Sequence, residues 1–145
     1  MSLMLGNDRL SVRLTTSDEQ PVQVEAFFGR PTPPTPLVEV LVLGEGRAMN
    51  QTRGLTRTAT GQALRYAGHH LADDGADVVW QRSADGALAT ETRIAVRDSS
   101  LSMQTTLTNT GDADLVVESL TAGVLPLPLA MGSTAVITGR STWTT

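Results

Sequence analysis

The stretch from Ala87 to Val124 constrains the fold most, because two runs of alternating residues stand back to back in it. Every second residue of each run is mainly apolar or threonine, whereas the positions between them are mainly polar or charged. A period of two is the pattern of a β-strand with one buried face. The residues expected on the buried faces are Leu88, Thr90, Thr92, Ile94 and Val96 in the first run and Leu101, Met103, Thr105, Leu107 and Asn109 in the second.

A polar turn at Asp98 to Ser100 joins the two runs, so the sequence predicts a hairpin. If Val96 pairs with Leu101, then Ile94 faces Met103 and both apolar sets reach the same side of the sheet. A slip of one residue would send one set to water, which makes this register strongly favoured. The further pairs expected from it are Thr92 with Thr105 and Thr90 with Leu107.

A second turn is predicted at Asn109 to Asp112, with Gly111 in the left-handed conformation. A third strand should begin at Leu115 to Val117, where apolar residues occupy both parities, as in a strand covered on both faces. Three consecutive strands joined by short turns predict an antiparallel meander.

The rest of the chain contains further short strand patterns separated by turn residues. Pro31 to Pro36 is predicted to be a polyproline-like connector, because proline lacks the amide donor that a central strand needs. Residues 48–61 have no clear pattern and are expected to cross between sheets. About nine short strands without a convincing helix predict an all-β fold, an antiparallel β-sandwich. The further strands are expected at residues 10–15, 22–28, 37–43, 63–71, 78–80 and 135–137.

The length of 145 residues is enough for a single domain with its own core. Met1 to Leu3 resembles an expression leader. The sequence stops at Thr145, shortly after Trp143, without a closing turn, so we expect residues 1–145 to be one excised domain.

Composition excludes several classes of function. A net charge of −4 and a pI near 5.0 argue against a nucleic-acid partner. The longest uncharged run, residues 119–138, is interrupted by proline and glycine, so no membrane segment is expected. The N-terminus has neither the charged region nor the apolar region of a signal peptide, so secretion is not expected. The absence of cysteine rules out disulfides and thiolate metal sites, and it fits a cytoplasmic location.

Residues able to support catalysis or metal binding are few. His69 and His70 are neighbours on a predicted strand and point to opposite faces, so they cannot chelate one ion together; we expect one in the core or an interface and the other in solvent. Glu91 is expected to form a surface ion pair with Arg93. No catalytic, cofactor-binding or metal residue is predicted. The aspartates expected at turns for backbone reasons are Asp73, Asp74, Asp85, Asp98, Asp112 and Asp114.

Aromatic residues bear on sugar binding, since binding modules stack sugars on exposed rings. The chain has two tryptophans, one tyrosine and two phenylalanines. Such a small number weakens the case for an independent lectin, although one exposed tryptophan such as Trp80 would suffice.

Several blocks resemble one known family when they are taken in order. They are Leu37 to Val40 before a glycine-rich turn, Arg65 to Leu71, Glu91 to Asp98, and Leu107 to Gly111. Together they resemble the N-terminal β-sandwich domain of family-36 glycoside hydrolases, the α-galactosidases. Arg65, Tyr66 and His69 match the family's apolar-Arg-Tyr-x-x-His strand residue by residue.

This resemblance implies a galactose-mutarotase-like supersandwich without a catalytic residue of its own. The family's two catalytic aspartates lie on a downstream (β/α)₈ barrel, to which residues 139–145 would begin the link. The implied partners are that barrel, a galactoside bound by the parent enzyme, and a second copy in a homo-oligomer. Gly139 to Trp143 departs from the family's Gly-x-aromatic-Glu spacing, so the resemblance does not identify the subgroup of the family or the sugar that the parent enzyme would bind. A free-standing carbohydrate-binding module and a structural or adhesion sandwich without a ligand are the alternatives.

Overall fold

The structure is a computed structural model that describes residues 1–27, 30–45, 47–50, 55–98 and 100–123. Most of these residues are in antiparallel β-strands and very few are helical, which confirms the all-β prediction. The elements in chain order are β1 Ser2–Gly6, β2 Ser11–Thr15, β3 Gln23–Phe27, β4 Arg30–Pro36, β5 Val38–Val42, β6 Arg47–Asn50, β7 Leu55–Thr58, α1 Ala59–Ala63, β8 Leu64–Leu71, β9 Asp77–Ser83, β10 Leu88–Arg97, β11 Ser100–Asn109 and β12 Val117–Ala122.

Two four-stranded sheets make up most of the described chain. The N-terminal sheet has the order β1-β2-β3-β4, and the central sheet has the order β8-β9-β10-β11. Each strand therefore pairs with its neighbour in sequence, as short antiparallel connections allow. Among the described residues, β5 pairs with β12 and β6 pairs with β7 as two smaller sheets.

The hairpin of β10 and β11 has the register predicted from the alternating pattern. Val96 pairs with Leu101 and Ile94 with Met103, and the two expected threonine and leucine pairs also form. Thr92 and Thr105 join their hydroxyls at 2.9 Å. The turn is entered through Asp98, whose φ of 51° is left-handed. Ser99 of the predicted turn lies outside the described residues.

The predicted third strand of the meander is wrong. β12 begins at Val117 and pairs with β5, not with β11, and Val116 is 59% exposed instead of being covered on both faces. Gly111 does not adopt a left-handed conformation. The amides of Thr110 and Gly111 both donate to the carbonyl of Ala87. These bonds tie the end of β11 to the start of β10, so the chain leaves the central sheet there.

Residues 2–6 form a strand that the sequence pattern did not predict. Leu3 pairs with Leu14 and Leu5 with Val12, and both β1 leucines are buried in the core. Met4 between them is 56% exposed. The interpretation of residues 1–3 as an expression leader stays a prediction, but Leu3 has a structural position in the sheet.

The proline-rich segment is a strand and not a connector, which corrects the prediction for Pro31 to Pro36. β4 lies at the end of the N-terminal sheet, where it pairs with β3 through Gln23–Pro36 and Val24–Thr35. An edge strand has one side that needs no ladder partner, so prolines are tolerated there.

A five-residue helix corrects the prediction that the chain contains none. α1 follows β7 in a segment that the sequence left without a pattern, because one turn is too short to show a helical period. Thr58 caps it by accepting the amide of Gly61 at 2.9 Å. The buried Glu39 of β5 in turn accepts the amide and hydroxyl of Thr58 at 3.1 and 2.8 Å. The Oε1 atom of Glu45 accepts the amide of Thr60.

One core joins the two large sheets and β5. Its buried members come from β1 to β3, from β5 and from β8 to β10, with connecting residues between them. The amide of Val22 donates to the side-chain oxygen of the buried Gln81 at 2.8 Å and so links the N-terminal sheet to β9. Residues 135–137, predicted as a last strand, and 139–145, predicted as a link to a barrel, lie outside the described residues.

Candidate functional site

The three residues that match the family strand do not form one site. Arg65 donates from Nη1 to the carbonyls of Gln62 and Leu64 at 2.7 and 2.8 Å, so its guanidinium fastens the end of α1. Tyr66 packs against the core, and its hydroxyl lies 2.6 Å from Nδ1 of His69. The structure thus brings Tyr66 and His69 together and leaves Arg65 apart.

The two histidines occupy opposite faces of β8 and neither lies in the core. His69 pairs across the sheet with Val79 and His70 with Val78, and both imidazoles are exposed. His70 stacks on the ring of Trp80, with 4.7 Å between centroids and 15° between planes. Among the described residues, histidine, aspartate and glutamate form no group of three able to hold a metal ion. Since both imidazoles are exposed, the expectation of a histidine in the core is wrong, whereas a histidine at an interface stays a prediction.

Asp77, at the start of β9, has a carboxyl whose pKa is raised. Burial raises the pKa of its carboxyl, and the neighbouring His69 opposes part of that rise. The carboxyl is only partly buried and pairs across the strands with Leu71 and Ile94. It lies at the end of the strand, so we assign it no chemistry.

A concavity of about 530 Å³ lies on the outer face of the central sheet. The register places Trp80 opposite Glu91 and Arg82 opposite Ala89, so side chains of β9 and β10 share this face. Small side chains make the depression between larger ones. Its lining includes Ala67, Trp80, Arg82, Ala89, Glu91 and Thr108.

The tryptophan in this depression is held by polar and aromatic contacts. Its indole Nε1–H donates to the Oε2 atom of Glu91 at 3.1 Å. Its other neighbour across the sheet is Gly68, where an added Cβ would lie 3.6 Å from Cε3 of the indole. Glycine at this position places no side chain against the indole, and His70 stacks on one face of the ring. Trp80 is half-buried and fixed in orientation.

The predicted ion pair between Glu91 and Arg93 does not form. Arg93 instead pairs with Asp74 in the turn between β8 and β9, while Glu91 accepts the indole proton of Trp80. Glu91 is also one of the residues that line the depression. The ion pair of Arg93 closes the neighbouring hairpin instead.

Two of the turn aspartates, Asp74 and Asp85, accept backbone amides as the sequence suggested. The hydrogen bond from Arg93, together with one from the amide of Ala76, lowers the pKa of Asp74. The hydroxyl of Ser83 and the amide of Ala87 lower the pKa of Asp85 in the same way. These carboxylates therefore stabilise turns and lie away from the concavity.

Two buried polar atoms lie beneath the depression without a partner in the described part of the chain. They are Nε2 of Gln81 and Oγ1 of Thr90, on residues that pair across β9 and β10. Both side chains belong to the inner face, because Gln81 accepts the amide of Val22 in the core. They therefore lie on the opposite face of the sheet from the side chains of Trp80, Arg82 and Glu91.

No protein-family model, curated protein or solved structure matches this chain. The site is therefore defined by its geometry alone. The sequence pattern indicated Trp80 and placed Glu91 on one face with Ala89, but it did not connect Arg82 and Thr108 with them. The signal was present in the period of two from Trp80 to Arg82. It was missed because the predicted strand ended at Trp80, whereas β9 extends to Ser83.

Within the described ranges, no helix is long and apolar enough to cross a membrane.

Proposed function

We propose that this chain is a non-catalytic N-terminal domain of an α-galactosidase-like glycoside hydrolase. In this proposal it forms a β-sandwich of the galactose-mutarotase-like supersandwich type, packs on a downstream catalytic barrel, and shapes the rim of the substrate pocket or an oligomer interface. The supporting observation is that three of the resembling blocks, Arg65 to Leu71, Glu91 to Asp98 and Leu107 to Gly111, fall within or at the end of strands of one antiparallel sheet. A cytoplasmic location belongs to the same proposal.

The proposal assigns bond cleavage to the barrel and not to this domain. Retaining hydrolysis needs two carboxyl groups about 5 Å apart, one as nucleophile and one as acid and base. Glu91 is the carboxylate that lines the depression, and its Oε2 atom is occupied by the indole of Trp80. The isolated chain should therefore show no turnover of a nitrophenyl α-galactoside. A measurable rate that Glu91→Gln abolishes would contradict this assignment.

The reading frame beyond Thr145 provides the decisive test of the parent enzyme. The proposal expects a (β/α)₈ barrel with two aspartates at the carboxyl ends of its strands, where barrel active sites lie. A frame that encodes no barrel would overturn the proposal, whatever the isolated domain binds.

A free-standing carbohydrate-binding module is the second candidate function. Trp80 on the outer face of the central sheet favours it, because a fixed and half-exposed aromatic ring is the part that such modules need. A scaffold without a ligand would leave the resonances of this face unchanged when sugars are added.

A further inference from the structure

We propose that the depression around Trp80 binds one ring of a neutral sugar. Its lining residues include Trp80, Glu91, Arg82 and Thr108, which carry an indole, a carboxylate, a guanidinium and a hydroxyl. This inference rests on the second candidate function and deepens it, because it names the surface and the class of ligand; it requires no barrel.

The shape of the site comes from the order of small and large residues on three strands. Ala67, at the irregularity in the pairing of β8 with β9, and Ala89 on β10 have short side chains. Trp80, Arg82 and Glu91 rise around them on the same face of the sheet. The volume of about 530 Å³ lies within the range of about 300–1,000 Å³ that is usual for small-molecule sites.

The indole supplies a flat apolar surface that is already held in place. The hydrogen bond to Glu91 and the stack with His70 fix its orientation, so binding does not have to order the ring. The face of an aromatic ring is electron-rich, and the polarised C–H groups on one face of a pyranose are attracted to it. Gly68 leaves room beside the ring, and its φ of 149° disfavours a larger residue there.

The charges around the ring select the class of ligand. Arg82 is a hydrogen-bond donor and Glu91 is a hydrogen-bond acceptor. One sugar hydroxyl can therefore accept a hydrogen bond from Arg82 while an adjacent hydroxyl donates one to Glu91. The lining contains one positive and one negative side chain, which favours a neutral ring over an anionic one. The hydroxyl of Thr108, on the next strand, adds a partner that can donate or accept.

Nuclear magnetic resonance of the 145-residue chain tests the site. The chain has two tryptophans, so a Trp143→Phe variant leaves one indole N–H signal, that of Trp80. Galactose and raffinose are the probes. We expect a saturable shift of this signal and of the amides of Arg82, Glu91 and Thr108, with an affinity in the millimolar range, where binding free energies are about 4 kcal/mol.

Side-chain variants separate this site from general sugar effects. Arg82→Ala should weaken binding about tenfold, because it removes a charge-assisted hydrogen bond. Glu91→Gln should also weaken it, since the acceptor loses its charge. Arg97→Ala, which changes an exposed arginine at the end of β10, is the matched control and should bind as the parent chain does.

Three results would overturn the assignment. One is the absence of a shift at sugar concentrations well above the millimolar range, and another is unchanged affinity in Arg82→Ala. The third is a shift with uridine but not with galactose, which would assign the surface to a nucleobase. Loss of sugar binding leaves the accessory role standing, and a missing barrel leaves sugar binding standing, so the two proposals fail separately.

Discussion

Replacing Leu3 by alanine tests whether the first residues of the chain are part of the fold. The side chain of Leu3 is 8% exposed and belongs to the core, where its residue pairs with the fully buried Leu14. Leucine-to-alanine changes at buried sites cost about 2–5 kcal/mol. Because Leu3 lies in a strand at the sheet edge, where neighbours can partly close the gap, we expect about 2–3 kcal/mol.

Met4→Ala is the matched control, since Met4 is the next residue of the same strand and is 56% exposed. A change at an exposed position should alter stability by less than about 0.5 kcal/mol. Urea unfolding followed by circular dichroism gives both values, and the Leu3 variant should also lose roughly 6–12 °C in melting temperature. If the two variants were equally stable, β1 would not pack on β2, and the core described here would be wrong at this edge.

Two further predictions follow from buried and charged contacts. Gly61→Ala should destabilise the chain by about 2–4 kcal/mol, because its Cβ would collide with the carboxylate of Glu39 and break the cap of α1. Gln62→Ala, which removes only a side-chain hydrogen bond to the carbonyl of Thr58 at 3.1 Å, is the control in urea unfolding and should cost about 1 kcal/mol or less. Asp74→Asn should remove a small stabilisation that is present at neutral pH. Because Arg93 holds the folded pKa of Asp74 below its ordinary value of 3.8, the advantage of the parent chain should disappear as pH falls below that value, and an equal difference at all pH values would contradict this.

The central hairpin could be predicted because its constraint is local. Alternation fixes which face of β10 is buried, and a one-residue slip would expose Ile94, so pattern and register agree. The all-β class followed from the same period. The path of the chain after β11 could not be predicted, because the choice between β11 and β5 as partner of Val117 depends on sheets that are distant in sequence.

The strand at residues 2–6 was missed for a related reason. Leu3, Met4 and Leu5 are all apolar, so the residue types show no alternation between a buried and an exposed face. Only the exposure of Met4 shows which side faces solvent. A short, uniformly apolar run does not reveal its conformation by periodicity.

The site was predicted only in part. The sequence identified Trp80 as the aromatic to follow, but it placed Glu91 in a pair with Arg93. Residues two apart on one strand share a face, yet the closer neighbours are those directly across the sheet. The partner of Glu91 is therefore set by the register of β9 against β10, which spacing within one strand cannot supply.

The position of β4 at the end of its sheet has a consequence for self-association. Four of its seven residues are proline, so much of its outward side has no amide to offer an incoming strand. Open strand edges are where chains add to one another and begin to aggregate, and proline is one of the means by which proteins block this addition. Copies of this chain that assemble in solution should therefore not do so by adding a strand to β4.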